Sequence, residues 1–232
     1  MHILGIETST KTGSVAVVSD QGVIAQYSLN LEVTHSERLM STVDRVLSDT
    51  GMLLSQMSGF AVAIGPGSFT GLRIGVSTVK GLALATGKPV AGVPTLKALA
   101  WNLPHAAYPV CPMLDARKNE VYAALFAYEG HAQIQTMAET VMPLEQLVEL
   151  LPNRIIFTGE ASHRYRNELE SLFRERALFA PYSALLPSAA SVAEIGLAMI
   201  ANNTCADPDS LAPIYIRRPE AEVAWEKRML SR

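Results

Sequence analysis

Cysteine is scarce in this chain. The two present, Cys111 and Cys205, lie far apart and form no C-x-x-C pair. No disulfide framework is implied, and Cys111, in an apolar stretch, reads as a buried free thiol. Long apolar runs are missing too. No segment approaches the ~20 apolar residues of a membrane span. The N-terminal "MHILGIETST" has no basic region, and its apolar run is too short for a signal peptide. A soluble, cytoplasmic protein is expected. Nor is there a long basic run, and the formal charge is −3. A stand-alone nucleic-acid binder is usually basic, so any RNA contact is expected to be shared with a partner. Arg217, Arg218 and the tail Lys227, Arg228 and Arg232 read as a solvated charged end. What is present is core material. Of 232 residues 49% are hydrophobic and 18% charged, enough for one large domain or two small ones.

The familiar catalytic templates are also absent. The stretch "AIGPGSFTGLRIGVSTVKGLA" (Ala63–Ala83) is glycine-rich and leads into a helix-like run. In a Walker A loop, glycines separated by four residues precede Lys and Ser/Thr. Here Gly65 and Gly71 enclose five residues and Leu72-Arg73 follows. A dinucleotide fingerprint needs G-x-G-x-x-G. Gly65 and Gly67 fit, but Thr70 stands at the third position. What remains is a tight strand-to-helix turn with a helix N-terminus behind it. A helical metal site needs two His four apart. His35 in "THSERLM" is followed four residues later by Leu39, and His2, His105, His131 and His163 make no such spacing. Ser68 is not in a G-x-S-x-G elbow. Asp115 and Arg117 in "DARKNEVY" read as a salt-bridged or turn-forming pair at a strand end. No catalytic residue and no metal ligand set is expected in this chain.

The order of elements is informative. Strands are predicted at His2–Glu7, Ser14–Ser19 and Val23–Asn30, with tight polar turns between them, as in an antiparallel meander. Thr34 and Glu37 fit a capping box. The helix behind them carries Leu39, Met40, Val43, Val46 and Leu47 at helical spacing and ends at Gly51. Then come a strand at Gly59–Ile64, a helix to about Thr86, a strand at Lys88–Val93 and a helix from Pro94 through Trp101. The second half repeats the start of that order. Strands are predicted at Tyr108–Asp115, Glu120–Tyr128, Ala132–Val141 and Arg154–Gly159. Helices are predicted near Pro143–Leu151, Ser162–Arg174 and Ser188–Ala201. The repeat is one of element order, not of residues. It predicts a two-lobed α/β protein with a cleft, divided near Asn102–Ala107.

The helix after the glycine-rich loop is apolar on two sides. Leu72, Val76, Val79 and Ala83 form one stripe, and Ile74, Gly75, Thr78 and Leu82 cover much of another. Gly71, Gly75, Ser77, Thr78 and Gly81 keep it thin. Glycine inside a helix costs about 1 kcal/mol relative to alanine, a cost usually offset by close approach of another backbone. A helix apolar on two sides needs two partners. One is its own sheet. The other is the capped helix before it or a second protein chain.

Five motifs in order carry a resemblance that spans nearly the whole chain: "ILGIETSTKTGSVAV", "THSERLM", "GPGSFTGLRIGVSTVKGLA", "DARKNEVY" and "PIYIR" (Pro213–Arg217). Together they resemble the TsaB (YeaZ) family of bacterial tRNA threonylcarbamoyladenosine biosynthesis proteins. The resemblance implies an actin-like, ribonuclease H-like fold of two lobes, here 1–104 and a smaller or degenerate 105–232. In that superfold the first β-turn reads roughly Asp-x-Gly-Thr/Ser and grips phosphate. Glu7, Thr8, Ser9 and Thr10 match it only in degenerate form. The family implies a non-catalytic partner of a larger paralogue, TsaD. That paralogue carries a metal and transfers threonylcarbamoyl to N6 of adenosine 37 in tRNAs reading ANN codons. TsaD's helix holds two metal-binding His four apart; His35 matches the first and Leu39 replaces the second. Pairing is implied through helices corresponding to Thr34–Thr50 and Thr70–Thr86, with TsaD or, alone, as a homodimer. The expected interface residues are His35, Leu39, Met40, Val43, Leu47, Gly71, Leu72, Gly75, Val76 and Val79. The small ATPase subunit TsaE joins the pair. ATP and metal are expected in the partner subunits and no cofactor in this chain. A glycoprotease-like peptidase and a small sugar or acid kinase on the same superfold are the rival readings.

Overall fold

A computed structural model describes residues 1–30, 35–205 and 207–217. The first five strands are β1 (His2–Glu7), β2 (Thr12–Ser19), β3 (Gly22–Asn30), β4 (Gly59–Gly65) and β5 (Val90–Pro94). They form one sheet in the order β3-β2-β1-β4-β5. The pairs β1–β2 and β2–β3 are antiparallel, joined by short turns. The pairs β1–β4 and β4–β5 are parallel. Parallel neighbours need long crossovers, and helices supply them: α1 (His35–Thr50) before β4 and α2 (Phe69–Thr86) before β5. The expected capping box of α1 rests on Thr34 and the Glu37 side chain, which lie outside the described residues.

Successive side chains of β1 point to opposite faces. Leu4 and Ile6 join Val15, Val17 and Val62 in a core completed by Leu39, Val43 and Val46 of α1 and Val76 and Val79 of α2. Ile3 faces the other way, into a core with Ala61, Ala63, Ala91 and Val93. Burial on both faces explains why β4 reads as an unbroken apolar run.

The second sheet repeats this plan. Its strands are β6 (Val110–Asp115), β7 (Glu120–Glu129), β8 (Ala132–Pro143), β9 (Ile155–Thr158) and β10 (Ala177–Phe179), in the order β10-β9-β6-β7-β8. Here α4 (Leu144–Leu150) precedes β9. The single helix expected over Ser162–Arg174 is two helices, α5 (Glu160–Arg164) and α6 (Arg166–Phe173), broken at Tyr165. The repeated element order is thus a repeated topology, with β10 as a fifth strand that sequence pattern did not predict.

Helix α3 (Thr95–Trp101) sits between the sheets, where Leu96, Leu99 and Ala100 pack on Val110, Leu114 and Phe126. Helix α7 (Ala189–Ala201) requires a correction. It falls within 105–232, expected to be the second lobe, yet it packs on the first sheet: Val192, Ala193 and Ile195 share a core with Ile3, Ala61 and Val93. The approach is close. A Cβ on Gly5 would lie 2.4 Å from the Ala189 carbonyl oxygen. A cut at residue 104 would therefore separate the sheets but strip the first of its second-face cover. None of the helices among the described residues is long and apolar enough to cross a membrane.

Candidate partner face and the buried hairpin

The turn between β1 and β2 is enclosed by the glycine-rich loop. The Thr8 hydroxyl donates to the Gly71 carbonyl at 2.8 Å. The Ser9 carbonyl accepts from the Ser68 N–H at 2.7 Å. Ser68 also caps α2, its hydroxyl accepting from the Gly71 N–H at 3.3 Å. Thr10 Oγ1 accepts from the Thr12 N–H at 3.2 Å. A Cβ on Gly67 would lie 2.3 Å from the Ser9 carbonyl oxygen, so only glycine lets the loop approach this far. The glycine-rich loop therefore grips the chain's own hairpin.

All four hairpin residues are buried. Glu7 is 0% exposed. Its Oε1 accepts from the Ser9 N–H at 2.5 Å, while Oε2 and the Ser9 hydroxyl have no hydrogen-bond partner among the described residues. Burial pushes the Glu7 carboxyl up to about 7, against the opposing pull of its hydrogen bond with Ser9.

The corresponding turn of the second lobe, between β6 and β7, is more open. Asp115 ends β6. Its Oδ2 accepts from Arg164 at 2.5 Å, and its Oδ1 accepts from the Arg117 N–H at 2.9 Å. Arg117, Lys118 and Asn119 all have left-handed backbone angles, near +54° to +61°. Asp115 thus shapes the turn through the Arg117 backbone, while its charge partner is Arg164. Glu160, at the start of α5, has its carboxyl raised chiefly by burial. The Asp115 charge acts in the same direction and Lys11 and Arg164 oppose it. Lys11 lies in the first turn, so a charge of that turn acts on Glu160 beside the second. Among the described residues, no three His, Cys, Asp or Glu side chains come together in a metal-binding arrangement.

Helices α1 and α2 lie together on one face of the first sheet and pack on a shared core. Here the expected interface residues are corrected. Leu39, Val43, Gly71, Leu72, Gly75, Val76 and Val79 are all buried within this chain, and Leu47 is half-buried against the same core. They hold the helices on the sheet. Leu39, standing where the resemblance puts a second metal-binding His, is a core residue. Met40 is different, 53% exposed. The His35 side chain lies outside the described residues. The outward row of α2 is Arg73, Ser77, Gly81 and Leu84, all exposed, with Leu84 at 90%. Sequence reasoning missed this row. Only its small residues Ser77 and Gly81 signalled it, and a helix apolar on two sides does not show which side faces the sheet.

The tRNA N6-adenosine threonylcarbamoyltransferase (TsaD) family matches residues 23–225 of the chain. The tRNA threonylcarbamoyladenosine biosynthesis protein TsaB of Bacillus subtilis is 32% identical over 228 residues, 97% of this chain and 98% of its own length. The solved structure of YeaZ from Pseudomonas aeruginosa superposes with a TM-score of 0.79 at 26% identity, covering 92% of this chain and 99% of its own. ROK hexokinase from Thermus thermophilus superposes at 0.51 with 12% identity, covering 87% and 100%, a likeness of fold alone. The fold is therefore the two-lobed actin-like one. The chain belongs to the TsaB (YeaZ) family of tRNA threonylcarbamoyladenosine biosynthesis proteins, within the TsaD domain family.

Proposed function

We propose that this chain takes part in tRNA threonylcarbamoyladenosine biosynthesis as a non-catalytic subunit that pairs with TsaD. The name of its Bacillus subtilis relative supports the pathway. The match to the TsaD family supports the kinship with the transferase. The observation that carries the subunit reading is the division of labour in the first lobe. The hairpin is filled by the chain's own loop, while the helix pair keeps an outward row with Leu84 and Met40 exposed. A row containing Gly81 and Ser77 lets a partner helix come close. In this reading the outward faces of α1 and α2 dock on TsaD, or on a second copy when TsaD is missing. TsaE joins the pair. Metal and ATP are held by the partners, tRNA is met through the complex, and the assembly works in the cytoplasm.

The test is reconstitution. Unmodified tRNA and threonylcarbamoyl-adenylate are given to this chain, to TsaD, and to both with TsaE. Turnover only where both large chains are present supports an obligate subunit. Modification by this chain alone, or no gain over TsaD alone, overturns it. A peptidase or a kinase would instead cleave peptide or bind ATP as the isolated chain, and the same preparation answers that.

A further inference from the structure

Two motifs have no role in the function proposed above: "DARKNEVY", which makes the second turn, and "PIYIR", near the end of the described chain. The structure brings them together. Lys80 Nζ of α2 donates to the carbonyls of Asp209 and Leu211, both at 3.0 Å. Leu211 is buried in the core shared by α1 and α2. The Ile214 N–H donates to the Ile64 carbonyl at 2.7 Å, next to the end of β4. The Tyr215 ring lies 4.8 Å from that of Phe69, and its hydroxyl accepts from Arg73 Nε at 2.8 Å. So far every partner belongs to the first lobe. Ile216 then packs on the core containing Tyr122 and Phe126. Arg217 donates to the Ala116 carbonyl at 2.5 Å and pairs with the Glu120 carboxylate. Those partners belong to the second lobe.

We propose that residues 207–217 are a strap that couples the first turn of α2 to the β6–β7 turn. The geometry leaves it little slack. Tyr215 and Arg217 are two residues apart, and two extended residues span at most about 7 Å. Separation of the β6–β7 turn from the start of α2 beyond what this short backbone and the Tyr215 and Arg217 side chains can span must break the bonds at one end. Loss of the strap at either end should therefore loosen both ends. This inference is independent of the identity of any partner.

Amide hydrogen exchange on the full chain tests it. At the second-lobe end the probes are the Ala116 and Glu120 amides, bonded to the Glu120 and Arg117 carbonyls. At the first-lobe end they are the Leu72 and Ile214 amides, bonded to the Ser68 and Ile64 carbonyls. Glu120→Gln removes the charge that holds Arg217. Tyr215→Phe removes the acceptor of Arg73. Each variant is expected to speed exchange at both ends, by roughly tenfold at its own end, as losing a hydrogen bond to a charged group allows. Asp115→Asn disturbs the same turn but leaves the strap attached, and should leave Leu72 and Ile214 unchanged. If Glu120→Gln speeds only Ala116 and Glu120, the strap does not couple the lobes. If Asp115→Asn speeds Leu72 as much as Glu120→Gln does, the effect is a general loosening and the proposal fails.

Discussion

Thr8 and Gly75 touch across the first lobe. A Cβ placed on Gly75 would lie 2.4 Å from Thr8 Oγ1, and that hydroxyl is held in place by its bond to the Gly71 carbonyl. Val62 Cγ2 would stand 3.3 Å away on another side. Gly75 thus owes its identity to this chain's own packing. Gly75→Ala should cost about 1–3 kcal/mol through overpacking, read by denaturant unfolding. The cost should shrink in a Thr8→Ala background, because that change removes the obstructing oxygen. An equal cost in both backgrounds would mean that Thr8 is not what Gly75 avoids.

The buried Glu7 carboxyl predicts a pH dependence. Its value is raised from 4.5 to about 7, mainly by burial. A carboxyl raised on folding favours the native state most where it is protonated in both states. Stability is therefore full below 4.5 and is lost as pH climbs through about 7. The interval corresponds to about 3 kcal/mol at one residue. Glu139, also pushed up to about 7 by burial, adds loss of the same sign. Glu7→Gln keeps an oxygen for the Ser9 N–H and removes the charge. It should make the protein more stable than wild type at pH 8 and flatten the slope between pH 5 and 7. A parallel slope in wild type and variant would show that Glu7 is ionised and solvated in the native state.

The ion pair between Asp115 and Arg164 is expected to matter little. Both side chains are partly exposed, and such pairs contribute about 0–1 kcal/mol. Asp115→Asn retains an oxygen for the Arg117 N–H. It should shift the unfolding free energy by no more than about 1 kcal/mol and leave tRNA modification by the assembled subunits within about twofold. A large loss of modification with a normal fold would place chemistry at the cleft and reopen the catalytic reading of this chain.

Much of the architecture was legible in the sequence, for physical reasons. Strand β1 matches the stretch read as HILGIE, and α1, β4 and α2 end within a residue or so of expectation, because Gly51, Gly65 and Gly87 punctuate the chain with left-handed or unusual angles. The repeated order of elements showed that two sheets of one plan should exist. Short elements were not legible. A strand of three residues, Ala177–Phe179, has too few positions to display alternation. The break at Tyr165 lies inside an amphipathic stretch with no proline or glycine to mark it. The return of α7 to the first sheet is a long-range fact that local pattern does not carry. The same limit governs the candidate site. The hydrophobic stripes of α1 and α2 identified helices needing two contacts, but of the residues singled out as the partner face Leu39, Val43, Gly71, Leu72, Gly75, Val76 and Val79 lie on the inner face, while Met40 is exposed. The signal for the outer face was the small residues Ser77 and Gly81, whose weight depends on knowing which way α2 faces.

Pairing through the outward row of α2 is tested most directly at Gly81. A Cβ there meets nothing within 4 Å, and replacing a helical glycine favours the helix by up to about 1 kcal/mol. Gly81→Arg should therefore fold at least as well as wild type. The measurement is the affinity of Gly81→Arg for TsaD by calorimetry, beside a thermal unfolding curve of the same sample. A drop of about a hundredfold or more, equal to about 2.7 kcal/mol, with an unchanged or raised melting temperature is the expected result. An intact fold with unchanged affinity would contradict docking through this face.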